Sequence, residues 1–213
     1  MTKRILLSLL LLTAPTVMTA AETARDILDR THQRLSTDQG YTTQFSTRLT
    51  ETAKQATHLS EGSLEVLGER FHLTTCDSET WFDGKDLWSR HHESSETTLT
   101  TPTDEELAAI NPIILLSLYK QGMTLALRQR DASSQGAPCY DILMTPETKC
   151  DIHDIALLID RATYDPRQII IRQGQGIELR ITVNAITLSP TLTPQVFVYD
   201  EALHPDIELI DLR

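Results

Sequence analysis

Apolar residues recur along this chain with two periods, a helical one near the start and a period of two almost everywhere after it. Ala24, Ile27, Leu28, Thr31 and Leu35 share one face at helical spacing, with Asp, Arg and Gln opposite. That predicts an amphipathic helix closed by Gly40. From Tyr41 the period is two: Tyr41, Thr43, Phe45, Thr47 and Leu49 alternate with Thr42, Gln44, Ser46 and Arg48, the pattern of a half-buried strand. The same alternation returns in Leu64 and Val66, in Phe71, Leu73 and Thr75, and in the β-branched run Thr97 to Thr101. It continues through Met123, Leu125 and Leu127, then Tyr140, Ile142 and Met144, then Ile155, Leu157 and Ile159, and Ile169 to Ile171. It is clearest at Ile177, Leu179, Ile181 and Val183, and Ile207, Leu209 and Asp211 suggest a last strand. Asp83-Gly84 reads as a two-residue hairpin turn and Gln173 to Gly176 as another turn.

One stretch breaks the rhythm. Pro102 stops a strand, and Thr103-Asp104-Glu105-Glu106 has acids near the positive end of a helix. Asn111-Pro112 restarts it, followed by Ile113, Ile114, Leu115, Leu116 and Leu118, a piece apolar on most sides. The expectation is a mainly β chain of about eleven strands, more than a simple sandwich holds and normal for one strongly curved or barrel-like sheet. Inward positions such as Phe45, Leu64, Val66, Phe71, Leu73, Leu125 and Leu127 would ordinarily be packed core. Aromatics are only 5% of the chain, so a sheet of this size is expected to leave its apolar interior incompletely filled.

The first residues narrow the setting. Lys3 and Arg4, the apolar stretch Ile5 to Leu12 and the small residues Thr19-Ala20-Ala21 have the layout of a cleavable export signal over residues 1–21. The apolar run is shorter than the roughly 20 residues a membrane span needs, and no cysteine at the cleavage point invites lipidation. Residues 22–213 are then one domain, with no linker or repeat dividing them. The chain carries 19 Lys+Arg against 30 Asp+Glu, a net charge of −11, and the signal takes two cations with it. Such an acidic surface argues against nucleic acid and against electrostatic adhesion to anionic lipid. Three cysteines remain, Cys76, Cys139 and Cys150. An oxidising compartment permits one disulfide, and Cys139 with Cys150 is the favoured pair because they flank the turn-prone Met144-Thr145-Pro146-Glu147. Pairing with Cys76 is the alternative.

Chemistry is sparse. His91-His92-Glu93 is the densest histidine group, but neighbours on a strand point to opposite faces and do not share an ion easily. His58, His72 and His153 are expected on solvent-facing strand positions. Asp83 belongs to a turn more readily than to catalysis, given Gly84. No nucleophile elbow, phosphate loop or zinc-protease signature occurs.

The ordered motifs resemble the LolA family, periplasmic carriers that move lipoproteins from the inner to the outer membrane. Tyr41-Thr42-Thr43-Gln44-Phe45 is similar to its first strand, Gly62-Ser63-Leu64 to its second, and Phe71 to the aromatic of its third. Asp83-Gly84-Lys85-Asp86-Leu87-Trp88 is the most specific piece, followed by Asn111-Pro112-Ile113, Leu143-Met144-Thr145-Pro146 and the ending Pro205 to Arg213. The resemblance implies a single curved antiparallel sheet forming an unclosed half barrel, with helices covering the concave face as a lid. It implies no enzyme activity and no cofactor, and a monomer in the periplasm; no metal is expected, on the histidine spacing above. Its partners would be lipoprotein acyl chains, the inner-membrane lipoprotein-releasing ABC transporter and an outer-membrane acceptor. The acyl lining would comprise Leu28, Phe45, Leu49, Leu64, Val66, Phe71, Leu73, Trp88, Ile113, Leu116, Leu125 and Leu127, with lid helices around Ala24 to Leu35 and Pro112 to Tyr119. Family members often carry Arg-Pro before the third-strand aromatic, in a loop tied to one-way transfer. Here Leu67-Gly68-Glu69-Arg70-Phe71 has no proline and leaves Arg70 as the candidate. Competing readings are a LolA-like sensor with other partners, an enzyme with a spatially assembled site, and a purely structural β-domain.

Overall fold

The computed structural model describes residues 22–36, 40–111, 119–120, 122–128, 132–189 and 191–213. The export signal at 1–21 and the lid and lining residues Pro112 to Leu118, Ile113 and Leu116 among them, lie outside the described residues. Two helices are described, α1 (Ala24–Leu35) and α2 (Asp104–Ile110). The strands are β1 (Tyr41–Glu51), β2 (Ala56–Leu67), β3 (Arg70–Thr75), β4 (Ser78–Phe82), β5 (Leu87–His91), β6 (Glu96–Thr100) and β7 (Met123–Leu127). Then follow β8 (Ala132–Ser134), β9 (Ala137–Pro146), β10 (Ile152–Asp160), β11 (Pro166–Gln173), β12 (Ile177–Leu188) and β13 (Glu208–Asp211).

All thirteen described strands belong to one unclosed sheet, in the order β13-β6-β5-β4-β3-β2-β1-β12-β11-β10-β9-β7, with β8 also on β9. Every neighbour is antiparallel except β13, which runs parallel to β6. The half-barrel expectation holds, with two more strands than expected. The alternation read from Tyr41 onward sets which residues face inward. Tyr41, Thr43 and Phe45 pair with Val66, Leu64 and Gly62 on one side and with Leu188, Ile186 and Val183 on the other, across a bulge at Gln44/Phe45.

Both helices begin with reciprocal caps. The Thr23 hydroxyl accepts from the Asp26 N–H while the Asp26 carboxylate accepts from the Thr23 N–H. Thr103 and Glu106 repeat the device for α2. Each box satisfies two backbone donors that a helix start leaves open. Gly40 does not close α1, which ends at Ser36. With φ +67° it instead turns the chain into β1, where a Cβ would come 2.8 Å from the Val66 carbonyl oxygen.

The inward face carries two apolar clusters. Over β9 to β12, Ile142, Met144, Ile155, Leu157, Ile159, Ile169, Ile171 and Ile181 pack against Ala24, Ile27 and Leu28 of α1 and against Tyr119. Ile27 and Leu28 are 0% and 1% exposed, each burial worth about 1.5–3 kcal/mol. Over β1 to β5, Tyr41, Leu64, Val66, Phe71, Phe82 and Leu87 form a second cluster, against which the half-buried Leu107 and Ile110 of α2 pack. Leu35 and Phe45 pack against both clusters.

Three expectations are corrected here. The β4–β5 connection has four residues, not two. Phe82 pairs with Leu87, and the Asp83 carboxylate accepts from the Lys85 and Asp86 N–H groups at 2.9 and 2.8 Å, an Asx turn with Gly84 at φ +100°. Cys139 and Cys150 do not meet, and all three cysteines are free. Cys139 pairs with Asp160 at one end of the β9–β10 hairpin, whereas Cys150 lies beyond Pro146 at the other end. The Met144-Thr145-Pro146 stretch is strand rather than turn, so roughly 20 Å of strand separates the thiols. Finally, His72 is not a solvent-facing histidine. It is held between the Glu65 and Glu79 carboxylates at 3.1 and 3.0 Å and stacks on Trp81, centroids 5.1 Å apart.

Candidate functional site

A cavity of about 540 Å³ opens over the second cluster, between β1 to β4 below and the two helices above. Tyr41, Val66, Phe71 and Phe82 form its floor, Leu35 its α1 wall and Leu107 its α2 wall. Phe71 and Phe82 are cross-strand partners with ring centroids 5.4 Å apart, a close aromatic pair that keeps this part of the floor apolar. Gly68, Glu69 and Gly84 of the two neighbouring hairpins, with Ser36, Asp104 and Asn111, make a polar rim. Burial pushes the Tyr41 phenol up, and burial, with Lys120 beside it, pushes the His32 imidazole down. A neutral ring then accepts from the Lys120 ammonium at 2.8 Å. The floor and walls of the cavity are thus apolar, with the ionisable Glu69 and Asp104 at its rim.

Of the residues expected to line an acyl site, Val66 and Phe71 face this cavity directly. Leu64 is buried in the same cluster, and Phe45 and Leu73 pack against its edge. Leu28, Leu125 and Leu127 belong to the other cluster. Leu49 is half-buried further along β1, opposite His58 and Leu179. Trp88 is a correction. It follows Leu87 on β5 and pairs with Trp81 and Leu99, so strand alternation turns it to the opposite face of the sheet. Arg70 sits at the foot of the β2–β3 hairpin, next to the rim residue Glu69, and its Nε donates to the Asp83 carbonyl at 3.0 Å. It thereby ties the two hairpins at the cavity mouth together.

Leu35, Tyr41, Phe82 and Leu107 are absent from the expected lining, yet the pattern holds them. Tyr41 shares the Phe45 face, and Phe82 stands directly opposite Phe71. The convex face is less legible still. There Trp81 packs edge-on to Tyr199, centroids 5.2 Å apart, Tyr199 stacks on His204 at 5.1 Å, and Arg90 donates to His204 Nδ1 at 3.0 Å. Phe197 and Tyr199, 0% and 5% exposed, clamp the segment after β12 onto the back of β3 to β6. A second concavity, about 500 Å³, lies on the outward side of β1, β2 and β12, among Ser46, Arg48, Ser60, Glu61, Glu178 and Arg180. Its charged walls give an alkyl chain no purchase. Among the described residues no three His, Cys, Asp or Glu side chains are placed to hold a metal ion.

A family model described as outer membrane lipoprotein carrier protein LolA matches residues 14–175. Among solved structures, the chain resembles an uncharacterized conserved protein from Thermus thermophilus. The TM-score is 0.61 at 12% identity, over 89% of this chain and 99% of that one, a likeness of fold. A LolA superfamily protein from Nitrosomonas europaea matches with a TM-score of 0.46 and 13% identity, over 84% of this chain and 99% of that one. A structure of the Pseudomonas aeruginosa MucA/MucB complex matches with a TM-score of 0.45 and 16% identity, over 83% of this chain and 61% of that one. No curated protein matches the chain.

Proposed function

We propose, for a chain that belongs to the LolA family of outer membrane lipoprotein carrier proteins, that it shelters the acyl chains of lipoproteins in the cavity beneath α2. In this reading residues 1–21 direct export and are removed, and the protein works as a binding protein in the periplasm, not as an enzyme. It takes its load from the inner-membrane lipoprotein-releasing ABC transporter and passes it to an acceptor at the outer membrane. The observation that carries the proposal is the cavity of about 540 Å³ walled by Leu35, Tyr41, Val66, Phe71, Phe82 and Leu107. That volume lies within the roughly 300–1,000 Å³ of small-molecule sites.

The energetics support a lid that lipid displaces. Burying a dozen methylenes is worth about 10 kcal/mol. Leu107 and Ile110 are the partly buried residues by which α2 packs on the second cluster, and their burial is worth at most roughly 3–6 kcal/mol together. An acyl chain therefore outcompetes the lid, and the lid's own packing offsets part of the cost when the chain leaves. In this reading Arg70, which ties the two hairpins at the mouth, takes part in handing the load to its acceptor. The net charge of −11 lets such a carrier approach an anionic membrane without adhering to it.

Native mass spectrometry of the protein purified from the periplasm tests the first half of this reading, with co-purifying lipoprotein or lipid expected. The second half is tested by crosslinking cysteines placed at Leu107 and Val66 in a Cys76→Ser, Cys150→Ser background, which should stop uptake or release. A lipid-free protein whose transfer is indifferent to the crosslink would overturn the proposal.

A further inference from the structure

The cavity beneath α2 has a neighbour along the next face of the helix. Phe82, on the floor of the first cavity, pairs across the β4–β5 hairpin with Leu87. Leu87 is the floor of a second cavity of about 650 Å³, together with its own cross-strand partner Thr100. Pro102, Ile110 and Leu212 complete the apolar part of its lining. The partition between the two cavities is α2 itself. Leu107, with Asp104 and Asn111, lines the first, and Ile110, with Glu106, lines the second, so two neighbouring faces of one helix serve the two spaces.

Two further features mark the second cavity as a place for an apolar guest. Leu212 is 62% exposed, although its N–H is anchored to the Leu99 carbonyl at 2.8 Å. A large apolar side chain is thus held at the rim and mostly exposed. The Arg213 guanidinium beside it is already neutralised, by Asp86 at 2.9 Å and Asp211 at 2.7 Å, and Asp86 also accepts from the Thr101 hydroxyl at 3.0 Å. The Glu106 carboxylate, also in the lining, is engaged in the α2 cap, accepting from the Thr103 N–H and hydroxyl at 2.8 and 3.0 Å, so the charged groups at this end have partners and the apolar wall is left for a ligand.

We propose that the second cavity is a separate alkyl-chain subsite, so that a lipid anchor with two or more acyl chains straddles α2 with a chain along each of these two faces. The inference rests on the carrier reading above and sharpens it: α2 divides the groove as well as covering it. A lid that swung away whole would merge the two spaces, whereas a partition keeps two independent binding places. A single-chain amphiphile tells these apart, because it has no second chain with which to bridge the helix.

The test is native mass spectrometry of the delipidated full chain titrated with myristoyl lysophosphatidylcholine. Two molecules are expected to bind the wild-type protein. Ile110→Trp, which fills the second cavity, should leave one. Leu212→Asp changes only an exposed rim residue and leaves the fold intact, and it should weaken the second binding event about tenfold while sparing the first. One molecule on the wild-type protein, or two undiminished in both variants, would overturn the two-subsite proposal and leave the carrier reading standing. No binding at all would remove both.

Discussion

The Phe45 ring occupies the space that a side chain at Gly62, its partner across β1 and β2, would need. A Cβ at position 62 would come 2.6 Å from Phe45 Cζ and 2.4 Å from the Thr74 carbonyl oxygen. The ring could turn aside, but the carbonyl belongs to the β2–β3 ladder and has nowhere to go. Phe45 also packs against both core clusters, so moving it disturbs the seam between them. Gly62→Ala should therefore destabilise the protein by about 1–3 kcal/mol. Urea denaturation should show a lower midpoint at an unchanged slope. An unaltered midpoint would mean that the seam yields freely.

The Glu22 carboxylate pins the start of α1 to the far edge of the sheet. Tyr140 donates to one oxygen, Tyr164 donates to the other at 2.9 Å, and Arg30 pairs with it at 2.8 Å. The Tyr140 hydroxyl, more than Tyr164 or Arg30, holds this carboxyl below its ordinary value of 4.5 against the opposing effect of burial. A depressed folded-state value means that the contribution is fully present above the ordinary value. It is lost as pH falls through 4.5 and on through the lower folded value. Stability measured in urea from about pH 7 to about pH 3 should fall less steeply for Glu22→Gln than for the wild-type protein. Parallel slopes would show that the clamp contributes nothing.

How much of this is legible in the sequence depends on the distance over which each feature is decided. The alternation from Tyr41 and from Ile177 is local, and it sets both the strands and the inward face. The capping pair Thr103 and Glu106 announces α2 in the same way. Trp88 is misassigned because a family motif carries it to the site, although one step of strand alternation from Leu87 turns it outward. The Cys139–Cys150 pairing fails because Met144 to Pro146, which reads as a turn, continues β9 against Ile155. Least legible are contacts made between distant segments: β13 lying parallel to β6, and Tyr199 and His204 folding back onto Trp81 and Arg90. The Phe197-x-Tyr199 alternation is the available sign of that burial, and Pro190 and Pro194 mask it as loop. The cavity itself is foreseen only as a volume argument, since its place over the sheet depends on where the helices settle.

The two described helices should behave differently, and that difference separates a moving lid from a fixed wedge. Helix α1 buries Ile27, Leu28 and Thr31 almost completely. It is tied down by Arg34 on Asp165 at 3.2 Å and by Tyr119 donating to Asp29 at 2.5 Å, as well as by the Glu22 clamp. Helix α2 has seven residues, far fewer than the roughly 12–15 that are marginal alone in water. Leu107 and Ile110, by which it packs on the sheet, are themselves half-buried. Segments with so few buried contacts open at low free-energy cost. Amide hydrogen exchange should run at least about a hundredfold faster in α2 than at Ile27 to Thr31, a gap of about 2.7 kcal/mol. Adding a diacylated lipopeptide should alter exchange in α2 and leave α1 unchanged. If α1 opened as readily as α2, or answered the lipid in its place, the division of labour between the two helices would be wrong, and the acyl chains would have to enter beneath α1.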